Sequence, residues 1–341
     1  MRGGEAPPMR PIRRILVLAF ALALAGCGAA RPRPVVTPSA TAAAPPPSAT
    51  ASATGRGSTA PATNLAPATT APGATTAPAT TTAPAGTASA AATATATAPA
   101  TPAPPTVLGP GFGQPDDIAV APDGTIYFSD FAGGRIGRMP PGGGRPTAIA
   151  QGLSDPEGIV VLPDGSLAVA QQGRNDIVRV DPATGAVTII AAVPNHTDRL
   201  GVDGLGWDPA TQSLLVPDSP SGRLLAIDPR SGATRVLIPG GLGRPTDAMR
   251  LPSGGYGIVD ETGGRVLLGG TVAARLSEPD DIVATGGRIY VNALSGAIWE
   301  VAPRVRQVLG GLANPQGMAA APDGSLVIVD QGRNRLLRWR P

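Results

Sequence analysis

The stretch PDDIAVAPDGTIYFSD, Pro115 to Asp130, returns near the end of the chain as PQGMAAAPDGSLVIVD, Pro315 to Asp330. A chain that rewrites one short pattern this way is built from stacked copies of a single unit, which limits it to repeat architectures. Aligned against itself, the sequence shows copies opening at Pro115, Pro156, Val202, Pro245, Pro279 and Pro315. After each opening comes a turn, such as PDG at Pro122, Pro163 and Pro322, and then a β-patterned run such as TIYFSD, SLAVAQ or SLVIVD. A corner, most often Gly-Arg, leads into a third strand, and most copies end on a fourth, such as TAIA or AVTII. Four short strands per unit, repeated about every 35 to 45 residues, predict an all-β fold, a six-bladed β-propeller of four-stranded antiparallel blades. The sixth copy stops at Pro341 without its outer strand. TVLGPGFGQPDD from Thr106 aligns with QVLGGLANPQGM from Gln307, so Thr106 to Leu108 is expected to supply that strand and close the ring.

The copies also act as controls on one another. Asp130, Asp218, Asp260 and Asp330 end the second strand, and each has an arginine five residues on: Arg135, Arg223, Arg265 and Arg335. Copy five has Ala293 there and no arginine at the matching corner position, and copy two replaces the pair with Gln171 and Asp176. Residues kept or lost together read as a structural bridge across the corner and not as a ring of catalytic carboxylates.

The start of the first strand differs from copy to copy. Its first ring is Asp116, Glu157, Asp203, Thr246, Asp280 and Gln316, and its second is Asp117, Gly158, Gly204, Asp247, Asp281 and Gly317. Innermost strands line the channel of a propeller, so these side chains are expected to converge on one mouth. Converging carboxylates repel unless a positive charge sits among them. A hard cation that takes oxygen ligands, Ca²⁺ before other divalent ions, is the expected cofactor, with Glu157, Asp203, Asp247 and Asp280 as ligands. Alternatively, Arg199, Arg244 and Arg275, in the loops leading to these strands, neutralise the acids. Asp247 and Asp280 are the candidate catalytic residues, as a spare carboxylate can act as a general base. Asp116, Asp117, Thr246, Asp281 and Gln316 are candidate ligand contacts, and His196, the single histidine, lies in a loop expected to reach the mouth. One histidine excludes a two-histidine metal site. Trp207, Trp299 and Trp339 fall on predicted strands and read as packing residues.

The pattern P-x-G-[IM]-x-x-x-PDG-x-[IL]-x-[IV]-x-D resembles NHL repeats. DPEGIVVLPDGSLAVA and VDGLGWDPATQSLLVPDS resemble the senescence-marker-protein/gluconolactonase group, which also includes strictosidine-synthase-like proteins. The likeness covers residues 106 to 341. It implies the propeller fold and a metal-dependent lactonase activity, with ligands at these strand starts beginning at a Glu-Gly that Glu157-Gly158 and Asp203-Gly204 match. Two ligand positions that are asparagine in that group have no asparagine pair here. Streptogramin lyases, also similar in outline, use a histidine with a metal, which would give His196 a role. Against this stands a binding reading, in which the mouth takes an envelope protein, a glycan or a small molecule.

The first hundred residues follow other rules. MRPIRRILVLAFALALAGC from Met9 has a basic start, an apolar run and small residues before a cysteine, the grammar of a secretory signal. LAGC at Leu24 to Cys27 resembles a bacterial lipobox, so residues 1 to 26 are expected to be removed and Cys27 acylated. That implies an exported protein, anchored by lipid to the bacterial cell membrane, or to the outer membrane where there is one. Residues 27 to 105 are almost entirely Ala, Thr, Pro, Ser and Gly and are expected to form a disordered, extended stalk. Residues 106 to 341 are the propeller, expected to be a monomer.

The overall charge of +3 misleads. Seven of the 27 basic residues precede residue 106, against one of the 24 acids, so the repeat region carries 20 arginines and 23 acids. No basic face remains to attract nucleic acid.

Overall fold

The structure, a computed structural model, describes residues 103 to 194 and 201 to 341. Cys27, His196, Arg199, the proposed signal and residues 27 to 102 of the proposed stalk lie outside the described residues. The strands run β1 (Thr106–Pro110), then β2 (Pro115–Val120), β3 (Ile126–Asp130), β4 (Arg135–Met139) and β5 (Thr147–Gln151) as blade one. Blade two is β6 (Pro156–Val161), β7 (Leu167–Gln171), β8 (Asp176–Val180) and β9 (Val187–Ala192). Blade three is β10 (Gly206–Asp208), β11 (Ser213–Asp218), β12 (Arg223–Ile227) and β13 (Thr234–Ile238). Blade four is β14 (Pro245–Arg250), β15 (Tyr256–Asp260), β16 (Arg265–Leu268) and β17 (Thr271–Arg275). Blade five is β18 (Pro279–Thr285), β19 (Arg288–Ala293), β20 (Ala297–Ala302) and β21 (Arg306–Leu309). Blade six is β22 (Pro315–Ala320), β23 (Leu326–Asp330), β24 (Arg335–Trp339) and, from the other end of the chain, β1.

Six antiparallel four-stranded sheets thus form the ring anticipated from the repeat, and β1 closes it by pairing Thr106 with Arg338 and Pro110 with Arg335. Closure hides the free edge that β24 would otherwise expose. Trp339 adds a tie, its indole N–H donating to the Ala103 carbonyl at 3.1 Å. Register places Pro110 at the corner end of blade six and Thr106 at the far end, so the chain enters on the face opposite the first residues of the inner strands.

The core is divided among the blades. One apolar cluster fills each space between neighbours, for example Ile126 and Phe128 of blade one against Val327, Val329 and Leu336 of blade six. Second strands are sandwiched on both faces, which explains why IYFSD and LVIVD are buried throughout, whereas outer strands such as TAIAQ face solvent. Blade three departs from the sequence expectation, because its first strand begins at Gly206 and not near Val202. The backbone N–H groups of Val202 and Gly204 go to Asn175 Oδ1 and the Thr246 carbonyl, leaving β11 unpaired there.

Candidate functional site: the acidic channel mouth

The corner bridges come first, because they aim the site. Asp130 receives Arg135 Nε at 2.6 Å, and Asp330 receives Arg335 Nε at 2.7 Å. Asp218 pairs with Arg223, and Asp260 with Arg265. Gln171 and Asp176 keep the contact in blade two at 2.6 Å, and in blade five the same register positions are Ala293 and Ala297. The other carboxylate oxygen accepts backbone N–H groups from the loop entering the same blade, Gln114 on Asp130 and both Gly243 and Arg244 on Asp260. The bridges of blades one, four and six therefore fix the loops from which their inner strands start.

At that start the ladder skips. Register breaks fall between Pro115 and Ile118, Pro156 and Ile159, Pro279 and Ile282, and Pro315 and Met318, with a shorter break between Pro245 and Asp247. A bulge frees its residues from pairing and re-aims their side chains, and these bulges hold most of the two rings. The second strand helps to satisfy the freed N–H groups: Ser129 Oγ accepts from Asp117, and Asn292 Oδ1 from Asp281.

The two rings then divide their work. In the second, Asp117 accepts the Ile159 N–H of the next blade at 2.8 Å, Asp247 that of Ile282 at 3.2 Å, and Asp281 that of Met318. Where this ring has glycine instead, a Cβ would strike the neighbouring blade, meeting Gly204 and Leu205 at 2.5 Å from Gly158. The second ring is a set of clamps between blades.

First-ring carboxylates meet polar partners from the corner residue just beyond the second strand. Gln331 donates to Asp116 at 2.9 Å, Gln172 to Glu157 at 2.7 Å, and Ser219 stands 3.5 Å from Asp203. Thr246 spends its hydroxyl on the Asp280 carbonyl at 2.6 Å. Asp280 itself has charged neighbours but, among the described residues, no hydrogen-bond donor on its carboxylate. The signal for Gln172, Ser219, Glu261 and Gln331 was present in the repeat register, one position past each bridging residue, but the sequence does not say that this position turns inward.

Residues of the two rings line a cavity of about 20 Å³, the size of one or two water molecules, and seven of its side chains are carboxylates. Gln316 stands at its strand start but does not line this cavity. Burial pushes the group up in pKa: Asp116 reaches about 7, with the Asp203 charge adding to burial, and Asp247 reaches about 6. Burial also holds Asp280 well above the usual carboxylate range, with Asp203 adding to it. Asp203 beside Glu157, and Asp247 beside Asp281, add to burial in holding Glu157 and Asp281 well above the usual range.

Among the described residues, Arg244 brings a positive charge to them. Arg244 Nη2 lies 2.5 Å from Asp203, and Nη1 pairs with Glu261. Arg275, by contrast, is exposed at the end of β17. The oxygen donors have the right chemistry for Ca²⁺, yet Asp203 is taken by Arg244 and Asp247 is turned to the next blade. Among the described residues no three Asp, Glu, His or Cys side chains are grouped to hold one metal ion. The residues as placed do not fit the expected divalent cation.

A scan against protein-family models and a search of curated proteins find no match to this sequence. Solved structures do match. The chain is similar to a gluconolactonase from Xanthomonas campestris at 14% identity and TM-score 0.53, over 71% of this chain and 97% of that one. It is similar to an aldose sugar dehydrogenase from Streptomyces coelicolor, solved with PQQ, at 17% identity and TM-score 0.57, over 71% and 99%. It is also similar to virginiamycin B lyase from Staphylococcus aureus at 15% identity and TM-score 0.51, over 66% and 79%. At these identities the likeness is one of fold, and the six-bladed propeller expected from the resemblance is the fold the chain has.

Proposed function

We propose that this propeller is a binding module, carried on an exported protein anchored through Cys27, that takes a cationic, hydroxyl-bearing group of a small ligand or envelope partner into its acidic mouth. The observation carrying this is the imbalance of seven carboxylates against Arg244 around an ion-sized cavity. A ligand that brings positive charge lets the carboxyls ionise, so it binds with release of protons and binds better as pH rises through about 6 to 7, where Asp247 and Asp116 titrate. Calorimetry of ethanolamine against N-acetylethanolamine, at pH 5.5 and 7.5, tests it. The expected result is binding of the amine alone, about tenfold tighter at the higher pH. Equal or absent heats from the two compounds sink the reading. The anchor is checked separately, by whether Cys27→Ser moves the protein from the membrane to the soluble fraction.

Asp280 favours a second reading, hydrolysis of a lactone or ester. The Asp280 carboxyl has no donor among the described residues and a raised pKa, so once ionised it is suited to take a proton from water, and Arg244 is suited to polarise a carbonyl. The likeness to a protein described as a gluconolactonase supports this reading. Lactone turnover lost in Asp280→Asn would favour it over simple binding, and no turnover by the unaltered protein would remove it.

A further inference from the structure

We infer that Arg244 acts as a cation of the mouth: its guanidinium takes Asp203, an acid that a divalent ion would need, and sets the site against free Ca²⁺. The main chain puts it there. The Arg244 N–H donates to Asp260 Oδ1 at 3.0 Å, and its carbonyl accepts from Glu261 at 2.9 Å, so the corner bridge of blade four holds the residue from both sides. From this fixed base the side chain reaches inward, one nitrogen on Asp203 at 2.5 Å and another on Glu261. Its Nε is buried and, among the described residues, has no hydrogen-bond partner. A side chain placed only for packing would keep that group in water; here its desolvation is offset by the carboxylates around it.

The repeat shows that the placement is particular to one blade. The residue before the inner strand is Gln114, Asp155, Gly201, Glu278 or Asn314 in the other copies, and none of these carries a positive charge. Asp203 and Glu157 are among the acids that a hard cation would have to recruit, and Asp203 is already paired. A guanidinium and a Ca²⁺ ion cannot both occupy the space beside it, because like charges this close repel strongly in a poorly hydrated channel. Arg244 thereby becomes a specificity-determining residue: by occupying Asp203 it withholds the site from inorganic cations. This rests on the proposed use of the mouth as a binding site, but it has its own test.

The experiment is calorimetric titration of Ca²⁺ into the full chain, the Arg244→Met and Arg244→Lys variants, and the double variant Arg244→Met with Asp203→Asn. The unaltered protein and Arg244→Lys are expected to show no saturable uptake below about 1 mM Ca²⁺, the weak end of calcium sites. Arg244→Met is expected to bind one ion at least about tenfold tighter than that limit, and the double variant to lose it. Stoichiometric Ca²⁺ binding by the unaltered protein overturns the inference whether or not any variant folds. A folded Arg244→Met that takes up no Ca²⁺ overturns it too. Ethanolamine binding by the unaltered protein is read independently, so failure there strikes the proposed function and leaves the role of Arg244 to be judged on the calcium result.

Discussion

Asp260 and Asp330 are closed off from solvent, and burial alone would push their pKa up. Arg265 with backbone N–H groups on the one, and the Ala313 N–H with Arg335 and Arg333 on the other, more than reverse this and hold both below the ordinary aspartate value. A buried ion pair adds little compared with an apolar replacement of both partners, but costs much when one partner is removed. Blade five shows the double replacement in nature, with Ala293 facing Ala297. In blade one, Arg135→Ala alone should therefore destabilise by about 3 to 5 kcal/mol. Asp130→Ala combined with Arg135→Ala should cost less than the sum of the single changes, by at least about 1 kcal/mol in a double-mutant cycle measured by urea unfolding. Strict additivity would mean that the pair is not coupled. These pairs were legible in the sequence because partner and partner lie five residues apart in every copy that has them. The Arg244–Asp203 contact was not, since its partners are 41 residues apart and meet only across two blades.

At the scale of elements, β1 is the piece with most leverage. It pairs with β24 through Thr106, Val107, Gly109 and Pro110, and Leu108 packs against the cluster shared by blades six and one. Without it β24 becomes an open edge, ready to pair with another chain. Val107→Pro, which removes a backbone donor opposite Leu337, is expected to lower the melting temperature and to produce oligomers visible by size-exclusion chromatography. A variant that stays monomeric with an unchanged melting temperature would show that closure does not depend on this strand. The strand was readable because its sequence aligns with the outer strand of another copy. The late start of β10 was not, because VDGLGW reads as an ordinary strand opening until the neighbouring blade is seen to accept the Gly204 N–H.

For the whole molecule, two sets of carboxyls set opposite slopes of stability with pH. Mouth groups have folded pKa values raised above the unfolded value of 3.8, Asp247 to about 6 and Asp116 to about 7, so their contribution is complete below about pH 4 and is lost as pH rises through 6 to 7. Bridge groups such as Asp260 and Asp330 have lowered values, so their contribution is present above about pH 4 and is lost as pH falls below it. The melting temperature should therefore peak near about pH 4 and fall on either side. In Asp247→Asn the alkaline limb should flatten, because that group no longer has to give up its proton. A profile that keeps rising to pH 8 would contradict the raised values in the mouth.

By itself the sequence determined the six blades, the strand that closes them, the bridged corners and the identity of the two acidic rings. All of these follow from comparing copies at a fixed spacing, and periodicity survives in one dimension. Only the tertiary structure decided what the rings do, because closing the circle sets Asp116 beside Gln331 from the other end of the chain and Asp117 against the backbone of the next blade. It also set Arg244, one of three arginines the sequence offered, against Asp203. Whether a carboxylate meets a proton, a neighbouring N–H or an arginine depends on distances across blades, and a repeat pattern carries no information about those.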